Sequence, residues 1–132
     1  MSARIVRYHA NLELESELGF SQAVRVDDLL FISGTVAMSA DRAVSEVDGA
    51  VDQYRTIYQT LGRVLEAHGL DFGDVVKETI FVQDLADFFA RGNIVRMSFY
   101  PGDSFPAATA VEVSRIGFEG HRVEIELVAS FA

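Results

Sequence analysis

The chain is 132 residues long, 49% hydrophobic and 23% charged, which fits a single globular domain over residues 1–132. Its 20 acidic and 11 basic side chains leave a formal net charge of −9, which argues against nucleic acid as a partner, because phosphate binding needs clustered Lys and Arg. There is no cysteine, so disulfides, thiolate catalysis and cysteine metal sites are excluded, and the reducing cytoplasm is the expected compartment.

No apolar run approaches the roughly 18 residues of a membrane helix. No apolar stretch follows Met1-Ser2-Ala3-Arg4 either, so neither a membrane partner nor a signal peptide is expected. Residues 4–9 read as a short strand, and the polar, mixed residues 10–20 as a loop with room for a helical turn. Residues 21–26 alternate at period two, Asp27-Asp28 is a turn signal, and residues 29–33 are a buried strand run closing at Gly34. Together they predict a β-hairpin.

Residues 38–47 form a polar loop. Ser45-x-x-Asp48 is a helix-start signature ahead of Val51, Tyr54, Tyr58, Leu61 and Leu65, whose spacings of three and four give one apolar face. Gly69 is the expected C-cap, with Leu70 as the apolar residue beyond it. Residues 71–74 are a turn. Residues 75–82 are a strand with Val76, Ile80 and Val82 on one face and Lys77, Thr79 and Phe81 on the other.

Residues 85–100 predict the second helix, buried through Leu85, Phe88, Phe89, Ile94, Val95 and Phe99. Gly92-Asn93 weakens its centre and Pro101-Gly102-Asp103 ends it. Residues 105–113 and 122–129 then read as two strands joined by the turn around residues 117–120, a second hairpin.

The order β, ββ, α, β, α, ββ predicts an α+β fold: a mixed sheet with two helices on one face. Val24, Val26, Phe31, Phe81, Val111, Val113 and Ile125 cannot all lie on the helix side if alternation holds. The other face is therefore apolar, and a homo-oligomer is expected. Carboxylates on the otherwise apolar last strand are costly unless paired or used, which makes Glu124 the candidate catalytic residue. The alternative is a carboxylate facing solvent or paired with Arg122 or Arg115. Glu126 shares its strand face, is expected to be structural, and would raise the pKa of its neighbour if both were desolvated. Glu112 is expected to be a solvated or interface charge. His9, His68 and His121 lack ligand spacing, so no metal is expected.

The chain resembles the RidA/YjgF family, formerly the L-PSP endoribonuclease family, over roughly residues 18–130. The matching pieces are Gly19-Phe20-Ser21-Gln22, Phe31-Ile32-Ser33-Gly34, Gln53 and Gly73-Asp74-Val75-Val76-Lys77. They continue with Phe81-Val82-Gln83-Asp84-Leu85, Asp87-Phe88, Asn93, Phe99, Phe105-Pro106-Ala107 and Val123-Glu124-Ile125-Glu126. Each piece is weak, but their order and spacing together are specific.

The resemblance implies a chorismate-mutase-like fold and a homotrimer with three clefts between subunits. It also implies cofactor-free hydrolysis of reactive enamines and imines to a 2-keto acid and ammonia. It places a small-molecule ligand near Phe20, Ser33, Asn93, Arg96, Ala107, Ala108 and Thr109, with a water held by Glu124. The sequence departs from the family at three of these. Ala108 stands where the family has a carboxylate-binding arginine, Phe20 where a tyrosine is common, and Arg96 where a second tyrosine is frequent.

Ala108 cannot form the two-pronged contact of a guanidinium with a carboxylate. The resemblance therefore implies a hydrolase or deaminase with an altered substrate, Arg96 supplying a displaced positive charge. The alternative is a non-catalytic small-molecule-binding trimer. A ribonuclease ranks last because the chain is acidic.

Overall fold

The structure is a computed structural model, and it describes residues 4–38 and 50–132. One six-stranded sheet organises it. Its strands are β1 (Ile5–Tyr8), β2 (Ala23–Val26), β3 (Leu29–Thr35), β4 (Val75–Val82), β5 (Ala107–Glu112) and β6 (Val123–Ser130). They lie in the order β1-β2-β3-β6-β4-β5. Every neighbouring pair is antiparallel except β4 and β5, which are parallel, so the sheet is mixed and the fold is α+β.

The first hairpin forms as expected, Ala23 to Val26 pairing with Ile32 to Leu29. Asp27 at its tip takes φ 52°, a left-handed conformation that Asp tolerates better than most residues. The second hairpin does not form. β4 lies between β5 and β6, pairing with both. The ten-residue connection from Val113 to Arg122 carries the chain past β4 instead of turning it back on itself.

Helix α2 (Ala50–Ala67) packs across the sheet through Tyr54, Ile57, Tyr58, Leu61, Val64 and Leu65. The expected face is present, and Gln53 adds to it. The helix start expected at Ser45 and Asp48 lies outside the described residues. Its end is the expected glycine cap. Gly69 has φ +72°, its N–H donates to Glu66 O, and Leu70 N donates to Leu65 O. Those two bonds satisfy carbonyls that the last turn would otherwise leave open. On the sheet, Leu30, Ile32, Ile80, Val82, Val123, Ile125 and Leu127 meet this helix, so Ile125 belongs wholly to the core.

Two elements differ from expectation. Residues 10–20 contain a helix, α1 (Leu12–Leu18), capped by Asn11 and closed by Gly19 at φ +84°. The second helix is not uniform. α3 (Leu85–Asp87) passes through a π-helical stretch (Phe88–Gly92) into α4 (Asn93–Phe99). The wider turn shifts the phase of the buried face. Phe88 is buried while Phe89 and Ile94 are exposed, although both were expected inside.

Gly92 sits at the change of pitch, where a Cβ would come within 2.5 Å of the Tyr54 ring, so the glycine permits close packing of helix on helix. In β4 a register shift between Val75 and Lys77 makes Val76 an extra, exposed residue. The buried row is Val75, Glu78, Ile80 and Val82: Val75 takes the place expected for Val76, and the carboxylate of Glu78 lies in the same row as Ile80 and Val82.

The sheet face away from the helices carries Val24, Phe31, Phe81 and Val111, half-buried or exposed, beside Glu124, Glu126, Lys77 and Thr109. No helix among the described residues is long and apolar enough to cross a membrane.

Candidate functional site

The predicted carboxylate lines a pocket of about 530 Å³, walled by α1 and its flanks, the end of β3, β6 and residues 117–118. Glu124, Phe20 and Ser33, three of the sequence-predicted site residues, meet in it.

The local order of this pocket starts at Glu15, a buried carboxylate. It accepts hydrogen bonds from the backbone N–H of Asn11 at 2.6 Å and of Gln22 at 2.6 Å, and it meets His9 Nδ1 at 2.8 Å. These contacts pin both ends of α1 to the sheet. Phe20 N also donates to Glu15 O at 2.9 Å, which holds the backbone there, and Phe20 lines the pocket. Ser33 Oγ donates to Ser21 O, Gln22 Nε2 donates to Thr35 Oγ1, and Thr35 Oγ1 donates to Ser33 O. Residues 20–22 are thereby strapped to the end of β3. Ser33's hydroxyl is thus a structural tie as well as a wall. Sequence reading missed Glu15, although an Asn cap followed by acidic residues in the first turn is a legible helix-start signal.

The register of β3 shifts between Ile32 and Thr35, at Ser33 and Gly34. Such bulges re-aim side chains beside functional sites. Here the bulge lays Gly34 against Glu124. A Cβ on Gly34 would stand 2.9 Å from Glu124 Cδ, so the absent side chain leaves the room the carboxylate occupies. Glu124 is half-buried and has neither a hydrogen bond nor an ion pair among the described residues. Its pKa is raised above the ordinary carboxylate value, first by burial and second by the Glu126 charge. Glu126 itself is exposed. Glu112, expected to be a solvated or interface charge, is exposed in the subunit and accepts from Leu85 N at 3.1 Å, holding the start of α3.

The other predicted residues lie apart from this pocket within the subunit. Ala107, Ala108 and Thr109 are on β5 at the far edge of the sheet, and Lys77 Nζ donates to Thr109 Oγ1 at 2.9 Å. Asn93 and Arg96 are on α4. Arg96 is turned inward: its Nε donates to Glu78, its Nη1 donates to Asn93 Oδ1 at 3.1 Å, and only 9% of the residue is exposed. Its guanidinium lies 5.4 Å from the Tyr100 ring centre and 5.9 Å from that of Phe105. Glu78 also accepts from Tyr58 Oη at 3.0 Å. Burial, then the Glu78 charge, pushes the hydroxyls of Tyr58 and Tyr100 above their ordinary range. In this subunit the Arg96 charge is neutralised by a buried partner that sequence reading had not paired with it.

Gln53 joins helix to loop. Its Nε2 donates to Gly120 O at 3.1 Å and its Oε1 accepts from Arg122 N at 2.8 Å, positioning the chain that enters β6 just before Glu124. Among the described residues there is no cluster of three or more His, Cys, Asp or Glu side chains that could hold a metal ion.

Comparison with known proteins places this arrangement. The profile of the family described as Endoribonuclease L-PSP matches residues 11–131. A goat (Capra hircus) protein named 2-iminobutanoate/2-iminopropanoate deaminase is 34% identical over 130 residues, covering 98% of this chain and 93% of its own length. The human protein of the same name is 33% identical over 130 residues, with 98% and 93% covered. Among solved structures, a Mycobacterium tuberculosis member of the YjgF/YER057c/UK114 family superposes with a TM-score of 0.79 at 28% identity, over 96% of this chain and 99% of the other. A Pseudomonas aeruginosa protein of unknown function superposes with a TM-score of 0.82 at 29% identity, over 98% and 94%. Fold, sequence span and relatives agree, and the chain belongs to the RidA/YjgF (L-PSP endoribonuclease) family.

Proposed function

We propose that this protein is an imine or enamine hydrolase of the deaminase type, with Glu124 as the group that holds and activates water. The observation that carries this reading is the Glu124 carboxylate: half-buried, unpaired among the described residues, set into the space left by Gly34 and lining the pocket with Phe20. A carboxylate raised above its ordinary pKa yet open to a ligand is suited to general-base work.

The ionised Glu124 takes a proton from water as the oxygen attacks the C=N carbon, and the π pair moves to nitrogen. Glu124 returns that proton to nitrogen, giving a neutral carbinolamine, which collapses as its hydroxyl proton passes to nitrogen and ammonia leaves. The net change is an imine plus water giving a carbonyl compound plus ammonia. No step calls for a redox change.

The active unit is a homotrimer in this reading. Its support is the half-exposed apolar face of the sheet, with Phe31 among its residues. Assembly would bring the β5 residues Ala107, Ala108 and Thr109, and Asn93 of α4, of one subunit to the Glu124 pocket of the next. Arg96 acts there as a support for α4 and β4 through Glu78, and not as a ligand contact.

The second reading, a non-catalytic binding trimer, is favoured by one observation, the alanine at position 108 in place of a carboxylate-binding arginine. Generating imines in situ and following carbonyl and ammonia release above the uncatalysed rate separates the two. Acceleration that is lost in Glu124→Gln supports the hydrolase. Binding without acceleration on any imine supports the second reading.

A further inference from the structure

The charge inventory of the Glu124 pocket is one-sided. Two carboxylates, Glu15 and Glu124, line it, and among the described residues the lining has no Lys, Arg or His. The two carboxylates are not equivalent. Glu15 is engaged by two backbone N–H groups and His9, so its charge is already solvated by the protein. Glu124 has no such partner.

Two cations accompany the second set of predicted residues. Arg96 is paired with the Glu78 carboxylate, Lys77 donates to the neutral Thr109 hydroxyl, and neither lines the Glu124 pocket. Position 108, on β5, is alanine. The rest of the wall is apolar and aromatic, including Leu14, Leu18, Phe20 and Phe118. A ligand carboxylate in this space would meet Glu124 as a like charge in a partly desolvated site, with no guanidinium fork to receive it.

We propose that the pocket selects a small cation without a carboxylate: a protonated imine, R₂C=NH₂⁺, whose N–H groups face Glu124 and whose apolar substituent lies on the Phe20 side. This deepens the hydrolase reading and rests on the same pocket, but it concerns what is bound and not whether it is turned over. A planar iminium presents N–H donors that a carboxylate oxygen can accept, and the charge pair replaces water lost from Glu124. Protonation also makes the imine carbon the better electrophile, so selection of the cation and attack by water act in the same direction.

The test uses three stable ligands of one shape and different charge: benzamidinium, benzamide and benzoate. Each is titrated calorimetrically into the full chain at pH 7.5 and fixed ionic strength. The account expects benzamidinium to bind at least tenfold more tightly than benzoate, with benzamide between them. Glu124→Gln should weaken benzamidinium at least tenfold and narrow its advantage over benzoate. Glu126→Gln, on the exposed neighbour, should weaken it by less than threefold, which separates a site from the general attraction of a chain of net charge −9.

The proposal is overturned if benzoate binds as well as benzamidinium, if benzamidinium does not bind, or if the two glutamate variants have equal effects. Charge-selective binding with no hydrolysis of any imine would remove the hydrolase reading and leave this one standing. Hydrolysis of 2-imino acids together with a preference for benzoate would do the reverse.

Discussion

Removing the positive charge of Arg96 while keeping its bulk, as in Arg96→Met, should be among the most damaging single changes in the chain. The cause is Glu78. Its carboxylate is fully buried in β4, held by Arg96 Nε on one side and Tyr58 Oη on the other. Without the guanidinium, a desolvated carboxylate keeps a single neutral donor. Breaking one partner of a buried pair typically costs about 3–5 kcal/mol, because the remaining charge is uncompensated. At about 4 °C per kcal/mol for a chain of this size, the melting temperature should fall by roughly 12–20 °C.

Urea unfolding and calorimetry of wild type, Arg96→Met, Glu78→Leu and the double variant form the cycle. The double variant should be more stable than either single one, since it leaves no unpaired charge. Benzamidinium affinity of the folded Arg96→Met protein should stay within threefold of wild type, because Arg96 does not reach the Glu124 pocket. A single-variant cost below about 1 kcal/mol, or a double variant that simply adds the two costs, would refute the reasoning.

Other expected outcomes follow from the same geometry. Gly92→Ala would drive a Cβ into the Tyr54 ring at 2.5 Å and should cost roughly 1–3 kcal/mol by denaturant titration, with part of the loss recovered when Tyr54 is shortened to Leu. Gly34→Ala meets the flexible end of Glu124 at 2.9 Å, so it should change the melting temperature little while displacing the carboxylate and lowering benzamidinium affinity at least tenfold. Glu124 has a raised pKa in the folded state, so the stability it contributes is fully present below its ordinary value of 4.5 and is lost as pH rises through the raised one. Glu124→Gln should therefore raise the melting temperature at pH 7.5 and leave it almost unchanged at pH 4. Ala108→Arg should strengthen carboxylate binding by about 10- to 100-fold, the worth of a charge-assisted contact, if β5 of a neighbouring subunit faces the pocket.

Much of the scaffold is legible from sequence because it rests on local rules. The apolar face through Tyr54, Tyr58, Leu61 and Leu65, the Gly69 cap and the first hairpin each follow from spacing and turn chemistry. What sequence reading missed depends on contacts between distant segments. β5 and β6 look like a hairpin because a glycine-bearing turn separates them, yet β4 takes the place between them and pairs with β5 in parallel. No local signal carries that order. The pairing of Glu78 with Arg96 joins a strand to a helix 18 positions on, and no local signal links the two.

The exposure of Phe89 and Ile94 goes with a π-helical turn that ends at Gly92, where the helix packs closely on Tyr54, again a tertiary contact. At the candidate site, Glu124, Ser33 and Phe20 were legible through the family motifs. Glu15 was passed over because its use lies in three contacts that only the folded chain brings together.

The most direct test of the central claim is the pH dependence of kcat/KM for carbonyl release from an imine generated in situ, in wild type and Glu124→Gln. The account predicts that wild-type activity rises as Glu124 ionises, at a pH above the ordinary glutamate value of 4.5. In the variant it should fall by about 10²–10⁴-fold and lose that rise. A variant that keeps its rate within a few fold, with the same pH profile, would contradict the assignment of Glu124 as the catalytic base.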